Sequence, residues 1–371
     1  VRFLIVGPIH HHEEYVRARR AAPAGQPALF PPSQAHYFYV QALRALGHEV
    51  MAFHHTESAL FGGRSLIRLG EFGGSLGGRA RAALQRFPRL SPEYMARNRR
   101  LVKVARRLRP DVVWMVGGTN IILPETLAEL KELGARLVYQ SGTSPVVFAL
   151  PNERKAAPLF ALVITNDFYH AMQWMELGAA RAEALPGSAC QPGFHRAYDL
   201  SAEERASLAC EVAFVGTLLP DNLYSRRVRA LEALRSFDLG VWSVHPVPES
   251  LRPFYRGGAL GERMLRILCA AKIVVNPHGD FMRWGGNLRL FEASGCGAFQ
   301  ITDDLPGVRG WFAVGQEIVT YRDPEHLREL AAYFLEHDEE REAIAAAGQA
   351  RAYADHTYRQ RAERLLAWLE G

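Results

Sequence analysis

The sequence predicts an α/β protein built on two doubly wound parallel sheets. Three observations carry this. Short apolar runs alternate with amphipathic stretches of helical length, the pattern of strand–helix–strand units. The alternation pauses at a turn-rich stretch, Pro186 to Glu204, which reads as a linker, and then restarts. In the second run, Asn287 to Asp304 (NLRLFEASGCGAFQITDD) follows an apolar strand and two glycines, Gly285 and Gly286. In open α/β sheets a loop at the carboxyl end of a strand is where ligands bind. A helix start behind glycines offers free N–H groups and a positive dipole end to a phosphate. Glu292, the one acid on that helix, is placed to accept hydrogen bonds from sugar hydroxyls.

The elements follow in order. RFLIVG is a first strand rather than a secretory signal, because no small-residue cleavage site follows. His36 to Leu46 is a helix closed by Gly47, and HEVMAFHH a second strand. Leu101 to Leu108 is an amphipathic helix before the strand PDVVWMVGG. Pro124 to Leu133 is a helix with Pro in its first turn and Gly134 at its end. ARLVYQ and ALVITND are strands, and Tyr169 to Leu177 is a helix. After the pause come the strand EVAFVGT, the helix Arg226 to Leu234, the strand LGVWSV and the helix Gly261 to Ala271. IVVNP, the helix Leu288 to Ser294 and AFQIT are next. Helices at Pro324 to Leu335, Asp338 to Tyr353 and Tyr358 to Leu369 end the chain. Two such sheets define a cleft between domains, a usual place for a ligand.

Composition narrows the class. The 371 residues suit two domains, and 48% hydrophobic with 22% charged residues is globular. No apolar run approaches the length of a membrane span. Cys190, Cys210, Cys269 and Cys296 form no C-x-x-C pair, which argues against structural zinc and fits a reducing cytoplasm. The net charge of +5 is uneven: residues 64–109 hold thirteen Arg or Lys against Glu71 and Glu93. Two readings fit that segment. It is a solvated surface, or it docks on an anionic membrane or an anionic acceptor. Nucleic acid is not expected, because only Phe72, Phe87 and Tyr94 interleave the charges.

Motif exclusion leaves a nucleotide-sugar site. There is no G-x-G-x-x-G, no P-loop, no G-x-S-x-G and no H-E-x-x-H. No D-x-D stands in a suitable place, and Asp303-Asp304 after a strand reads as a turn, so no metal is expected.

Residues 211–371 resemble the carboxyl-terminal half of GT-B glycosyltransferases, in particular the CgeB-like spore-maturation group. The matching pieces are FVGT then SRR, NLRLFEASGCGAFQITDD, GQEIVTYRDPEHLRELAAYFL, and REAIAAAGQARAYADHTYRQRAERLLAWL. The amino-terminal half matches more loosely, through ALRALGHEV, RPDVVWMVGG and the PETLAELKELGARLVY run. The resemblance implies two Rossmann-like domains facing a central cleft. Residues 1–195 would bind the acceptor, 196–210 would link, 211–355 would bind the donor, and 356–371 would return toward the first domain. It further implies that Glu292 holds the donor ribose and that Gly286, Asn287 and Leu288 meet the diphosphate. Gly216 and Thr217 would approach the donor at the turn after the domain's first strand, with Arg226 and Arg227 near the phosphates. Arg289, three residues before Glu292, is also a candidate ion-pair partner for it.

The family pattern breaks at Trp284, where many retaining members carry a second glutamate. His278 and Asp280 are candidates for the sugar hydroxyls, with the capping of a strand end as the other reading; Asp280 is also a catalytic candidate. On the acceptor side, His10, His11 and His12 follow the first strand, His11 and His12 as catalytic candidates for a general base. Gln140, Ser141 and Thr143 are a second group at that edge, and His245 a third candidate on the donor side. The expected activity is sugar transfer from a nucleoside diphosphate sugar to an unidentified acceptor, without metal and, by analogy, with retention. No cofactor is expected beyond that co-substrate. A nucleotide-sugar epimerase and a non-catalytic nucleotide-sugar binder are the alternatives.

Overall fold

Each half of the chain carries one six-stranded sheet in which every strand pair is parallel. The computed structural model describes residues 1–8, 17, 20–21, 31–56, 87–187 and 189–370, without the side chains of 31–35. Two compact units result, Val1–Gly187 and Ser188–Gly371.

The first unit runs β1 Arg2–Gly7, α1 Pro31–Ala45, β2 Glu49–His54, α2 Pro92–Leu108, β3 Val112–Val116 and α3 Pro124–Glu132. It continues β4 Arg136–Ser141, α4 Pro151–Ala156, β5 Leu162–Thr165, α5 Phe168–Glu176 and β6 Ala182–Ala184. The sheet order is β2-β1-β3-β4-β5-β6, so the direction of winding reverses between β1 and β3. Strands β3 and β5 are buried along their whole length, which is why they read as unbroken apolar runs. Tyr139 stacks on Phe160 at 4.9 Å and meets Trp174 edge-on, filling the core beneath β4 and α5.

Helix α2 begins nine residues before the expected Leu101. Its start is a strong one: the Ser91 hydroxyl accepts from Tyr94 N–H, Pro92 opens the helix and Glu93 faces the positive dipole end. The periodicity is masked because Arg97 and Asn98 are buried on the apolar face. Asn98 is fully used there. Its amide donates to the Tyr94 and Ile121 carbonyls, both at 2.8 Å, while its oxygen accepts from Leu123 N–H and the Thr126 hydroxyl. This ties α2 to the start of α3.

The second unit runs α6 Ala202–Leu208, β7 Val212–Val215, α7 Asp221–Ala233, β8 Leu239–Trp242, β9 Tyr255–Gly257 and α8 Gly261–Ala270. Then come β10 Ile273–Asn276, α9 Arg289–Gly295, β11 Gln300–Asp303, α10 Pro306–Trp311, β12 Val319–Tyr321, α11 Pro324–Glu336, α12 Asp338–Asp355 and α13 Tyr358–Glu370. The order β12-β11-β10-β7-β8-β9 is the classical dinucleotide-fold order, with its reversal between β7 and β10.

Part of the stretch expected to be a loose linker is built in. Cys190 and His195 are buried, and the Cys190 backbone pairs with His356 and Tyr358 at 2.7 and 3.1 Å. Further on, Ser201 and Glu204 form a capping box for α6. The stretch lacks a hydrophobic period because its backbone, not an apolar face, fixes it. Among the described residues no helix is long and apolar enough to cross a membrane.

Candidate functional site

In the second unit the chain reverses between β7 and β10, and the predicted site residues gather at the carboxyl ends of these strands. Such a reversal leaves a crevice, because the connections leave the two adjacent strands toward opposite faces of the sheet. Arg227, on α7, spans it: Nε donates to the Pro277 carbonyl and Nη1 to the Thr217 carbonyl, each at 2.8 Å. One guanidinium thus ties the end of β10 to the end of β7. Its burial lowers its pKa, yet its planar fork suits two divergent acceptors. Gly216 sits in the same turn, its N–H bonded to the Trp242 carbonyl at 3.0 Å.

The next strand end carries a charged cluster. Asp303 closes β11 and is buried; the chain turns there as expected, Leu305 N–H donating to the Asp303 carbonyl at 2.9 Å, but the side chain has a further role. It accepts from His278 N–H at 2.9 Å, pairs with His278 Nδ1 at 2.6 Å and binds Arg226 Nη1 at 2.8 Å. Burial opposes ionisation of Asp303, but His278 and Arg226 outweigh it and hold the carboxyl below its usual range. His278 is fully buried, with Nε2 unbonded, so its contact with a sugar is not preformed. Asp280 does not stand free: α7 is kinked at Tyr224, and the two Asp280 oxygens accept Ser225 N–H and Arg226 N–H just past the kink, at 2.7 and 3.0 Å. These are capping contacts, made to a helix and not to a strand end.

The entry to α9 is the other wall. The N–H groups of Gly286, Asn287 and Leu288 have no hydrogen-bond partner among the described residues. Asn287 is held by a reciprocal pair with Asn276 at the end of β10, and its oxygen accepts Leu290 N–H. Gly286 is a requirement of space: a Cβ there would stand 2.4 Å from Leu290 Cδ1 and 2.6 Å from Trp311 Cζ3. Trp284, where the family pattern breaks, packs edge-on against Trp311 at 5.8 Å.

Glu292 lies one turn into α9 and is 6% exposed. Burial pushes its pKa up, and Arg289, bonded to its Oε2, pulls it back. Arg289 also donates to the Val215 carbonyl at 3.2 Å, so it joins α9 to β7. The ion pair expected between these residues is present.

His195 had no sequence signal, because it sits in the supposed linker. Its Nδ1 accepts Gln191 N–H, which leaves the hydrogen on Nε2, 3.9 Å from Glu292 Oε1. Burial, aided by Arg289, pushes its pKa down to about 3, so the ring is neutral at physiological pH. His245 is exposed and stands apart from this cluster in its hydrogen bonding.

In the first unit the site residues are more scattered. His10, His11 and His12 lie outside the described residues, as does 64–86 of the basic segment. Gln140 and Ser141 are buried at the end of β4; Gln140 donates to the Gly187 carbonyl and Ser141 to the Thr143 carbonyl. Unexpected from sequence is Glu153 on α4, 7% exposed. Its Oε2 accepts Leu150 N–H at 2.7 Å, and Oε1 lies against Gly118 in the turn after β3. Burial raises its pKa to about 7.

Residues 225–367, which hold most of the second-unit cluster, match a family model described as glycosyl transferase-like. No curated protein matches the chain. Solved structures do. Anabaena Alr3699/HepE in complex with UDP-glucose is 14% identical over 99% of both chains, with a TM-score of 0.59. Sucrose-phosphate synthase from Thermosynechococcus elongatus is 13% identical over 100% of this chain and 98% of its own, with a TM-score of 0.63. AviGT4, a glycosyltransferase involved in avilamycin A biosynthesis, is 15% identical over 99% and 96%, with a TM-score of 0.58. At these identities the likeness is one of architecture: the chain has the GT-B fold of glycosyltransferases.

Proposed function

We propose that the protein is a glycosyltransferase of the CgeB-like group that moves a sugar from a nucleoside diphosphate sugar to an acceptor. The observation that carries this is the second unit's crevice: the amides of Gly286 to Leu288, unpaired among the described residues, with the Glu292 carboxylate one turn further on. Amides at a helix entry suit a diphosphate, and a carboxylate suits two adjacent ribose hydroxyls. HepE is in complex with UDP-glucose, which makes UDP-sugars the first donors to try. In this reading the amides and Arg226 stabilise charge on the departing diphosphate without a metal ion, and the acceptor attacks from the same face. Gly216 and Thr217 let the backbone approach the donor, and Arg227 holds the two strand ends apart at a fixed distance. Ser141 and Thr143 are kept as acceptor-side groups of the first unit. Free thiols at all four cysteines support a reducing compartment such as the cytoplasm.

The test is release of nucleoside diphosphate from UDP-sugars with and without a panel of hydroxyl acceptors. Acceptor-dependent release, lost in Glu292→Ala, is expected. Sugar isomerisation without any acceptor would establish the epimerase alternative instead. Saturable donor binding with no turnover on any acceptor would leave a binding protein, the reading that Trp284 in place of an acid keeps open.

A further inference from the structure

Helix α2 turns its buried face, Tyr94, Asn98, Leu101, Val102 and Ala105, to the first unit's core. Its exposed stripe is cationic: Arg99, Lys103, Arg106 and Arg107, at i, i+4, i+7 and i+8. Between α2 and α3 lies an open cavity of about 560 Å³. Met95, Val102 and Leu123 give it an apolar lining, and Arg89, Arg99, Lys103 and Arg106 a basic one. Its two acids are already matched, Glu125 by Arg89 and Glu129 by Arg106. Arg99, Lys103 and Arg107 have no ion-pair or hydrogen-bond partner among the described residues. Two large apolar side chains are exposed where the chain enters α2, Phe87 at 54% and Leu90 at 71%, on either side of Arg89.

Cations without counter-acids among the described residues thus stand beside exposed Phe87 and Leu90, which gives one face both positive charge and apolar area. An anionic bilayer surface serves both, since headgroup phosphates neutralise the charges and the interfacial region accepts the apolar side chains. A nucleic acid would satisfy the charges but offers little to Leu90, and among the described residues of this face Phe87 is the one exposed aromatic to stack on a base. We propose that the face formed by α2, α3 and the turn at Phe87 to Leu90 docks the protein on an anionic lipid bilayer. The charged stripe contributes most of the attraction, and Leu90 enters the headgroup layer. This docking is independent of the donor reaction and does not rest on it.

The experiment is co-sedimentation of the full chain with phosphatidylcholine vesicles with and without phosphatidylglycerol. Binding only to the anionic vesicles, weakened by added salt, is expected. Each cation near such a surface is worth roughly a fivefold change in partitioning, so Arg99→Gln/Lys103→Gln/Arg107→Gln should bind about a hundredfold more weakly. Leu90→Ser should weaken binding with the salt dependence unchanged. These positions are solvent-facing, so an unaltered melting temperature and unaltered UDP binding in the variants show that the fold and the donor site are intact. Equal recovery on neutral and anionic vesicles would overturn the proposal. So would a triple variant that binds like the parent, or retention on single-stranded DNA with no vesicle binding.

Discussion

Replacing Glu292 by Gln tests both the packing of α9 and its proposed contact with ribose. Glu292 is nearly sealed from solvent, and Arg289, its partner, has a side chain only 15% exposed. Removing one member of such a pair costs about 3–5 kcal/mol. Arg289 keeps the Val215 carbonyl, which puts Glu292→Gln at the lower end, about 3 kcal/mol. Arg289→Met should cost less, because burial already pushes the Glu292 carboxyl toward its neutral form. The double variant should then be more stable than the sum of the singles by about 2 kcal/mol, read from denaturant unfolding as a double-mutant cycle. Binding gives a second readout. A carboxylate acceptor contributes about 1.5–3 kcal/mol per hydrogen bond, and the Gln carbonyl retains part of this. UDP should therefore bind Glu292→Gln about tenfold more weakly by calorimetry, a change of about 1.4 kcal/mol. Inorganic pyrophosphate, which has no ribose, should bind as before. Additive stabilities would refute the pairing, and an equal loss for UDP and pyrophosphate would refute the ribose contact.

Three further outcomes are expected. Arg227→Lys replaces a fork that reaches the Pro277 and Thr217 carbonyls with a single ammonium, and should lose about 2 kcal/mol in urea unfolding; an unchanged midpoint would show that the strand ends do not depend on the bridge. Gly286→Val drives a side chain into Leu290 and Trp311 and should cost about 1–3 kcal/mol and weaken UDP binding, whereas parent-like melting would mean that the loop yields freely. Glu153 keeps its proton in the folded state up to about pH 7 but only to about 4.5 when unfolded, so its contribution to stability is lost as pH rises between those values, by about 3 kcal/mol. Relative to the parent, Glu153→Gln should gain stability between pH 5 and pH 8 by most of that amount; parallel pH profiles for the two proteins would contradict the burial argument.

Much of the second unit was legible because its signals are local. The strand IVVN, the glycines at 285 and 286 and the acid at 292 lie within 20 residues of one another, and their spacing alone predicts a ligand-binding turn. The Arg289 partnership followed from helical spacing. What was not legible depends on distant contacts. Asp303 looked like a turn residue because its partners, His278 and Arg226, are 25 and 77 residues away. His195 was hidden in a stretch with no periodicity, held by backbone pairing to His356 and Tyr358 rather than by an apolar face. Asp280 gave an ambiguous signal: an acid in a ligand-edge loop has the same sequence appearance whether it binds a sugar or holds a neighbouring helix, and its bonds to Ser225 and Arg226 are long-range. The short edge strands β6, β9 and β12, three residues each, lacked the length for a pattern. In the first unit Glu153 resembled any other charged residue of a short helix, and only its burial against the turn after β3 distinguishes it.

The most direct measurement is a crystal structure of the full chain soaked with UDP. The diphosphate should lie against the amides of Gly286, Asn287 and Leu288, with the ribose hydroxyls on the Glu292 carboxylate. A nucleotide bound elsewhere, or one at this crevice with its ribose turned away from Glu292, would contradict the assignment of this edge as the donor site.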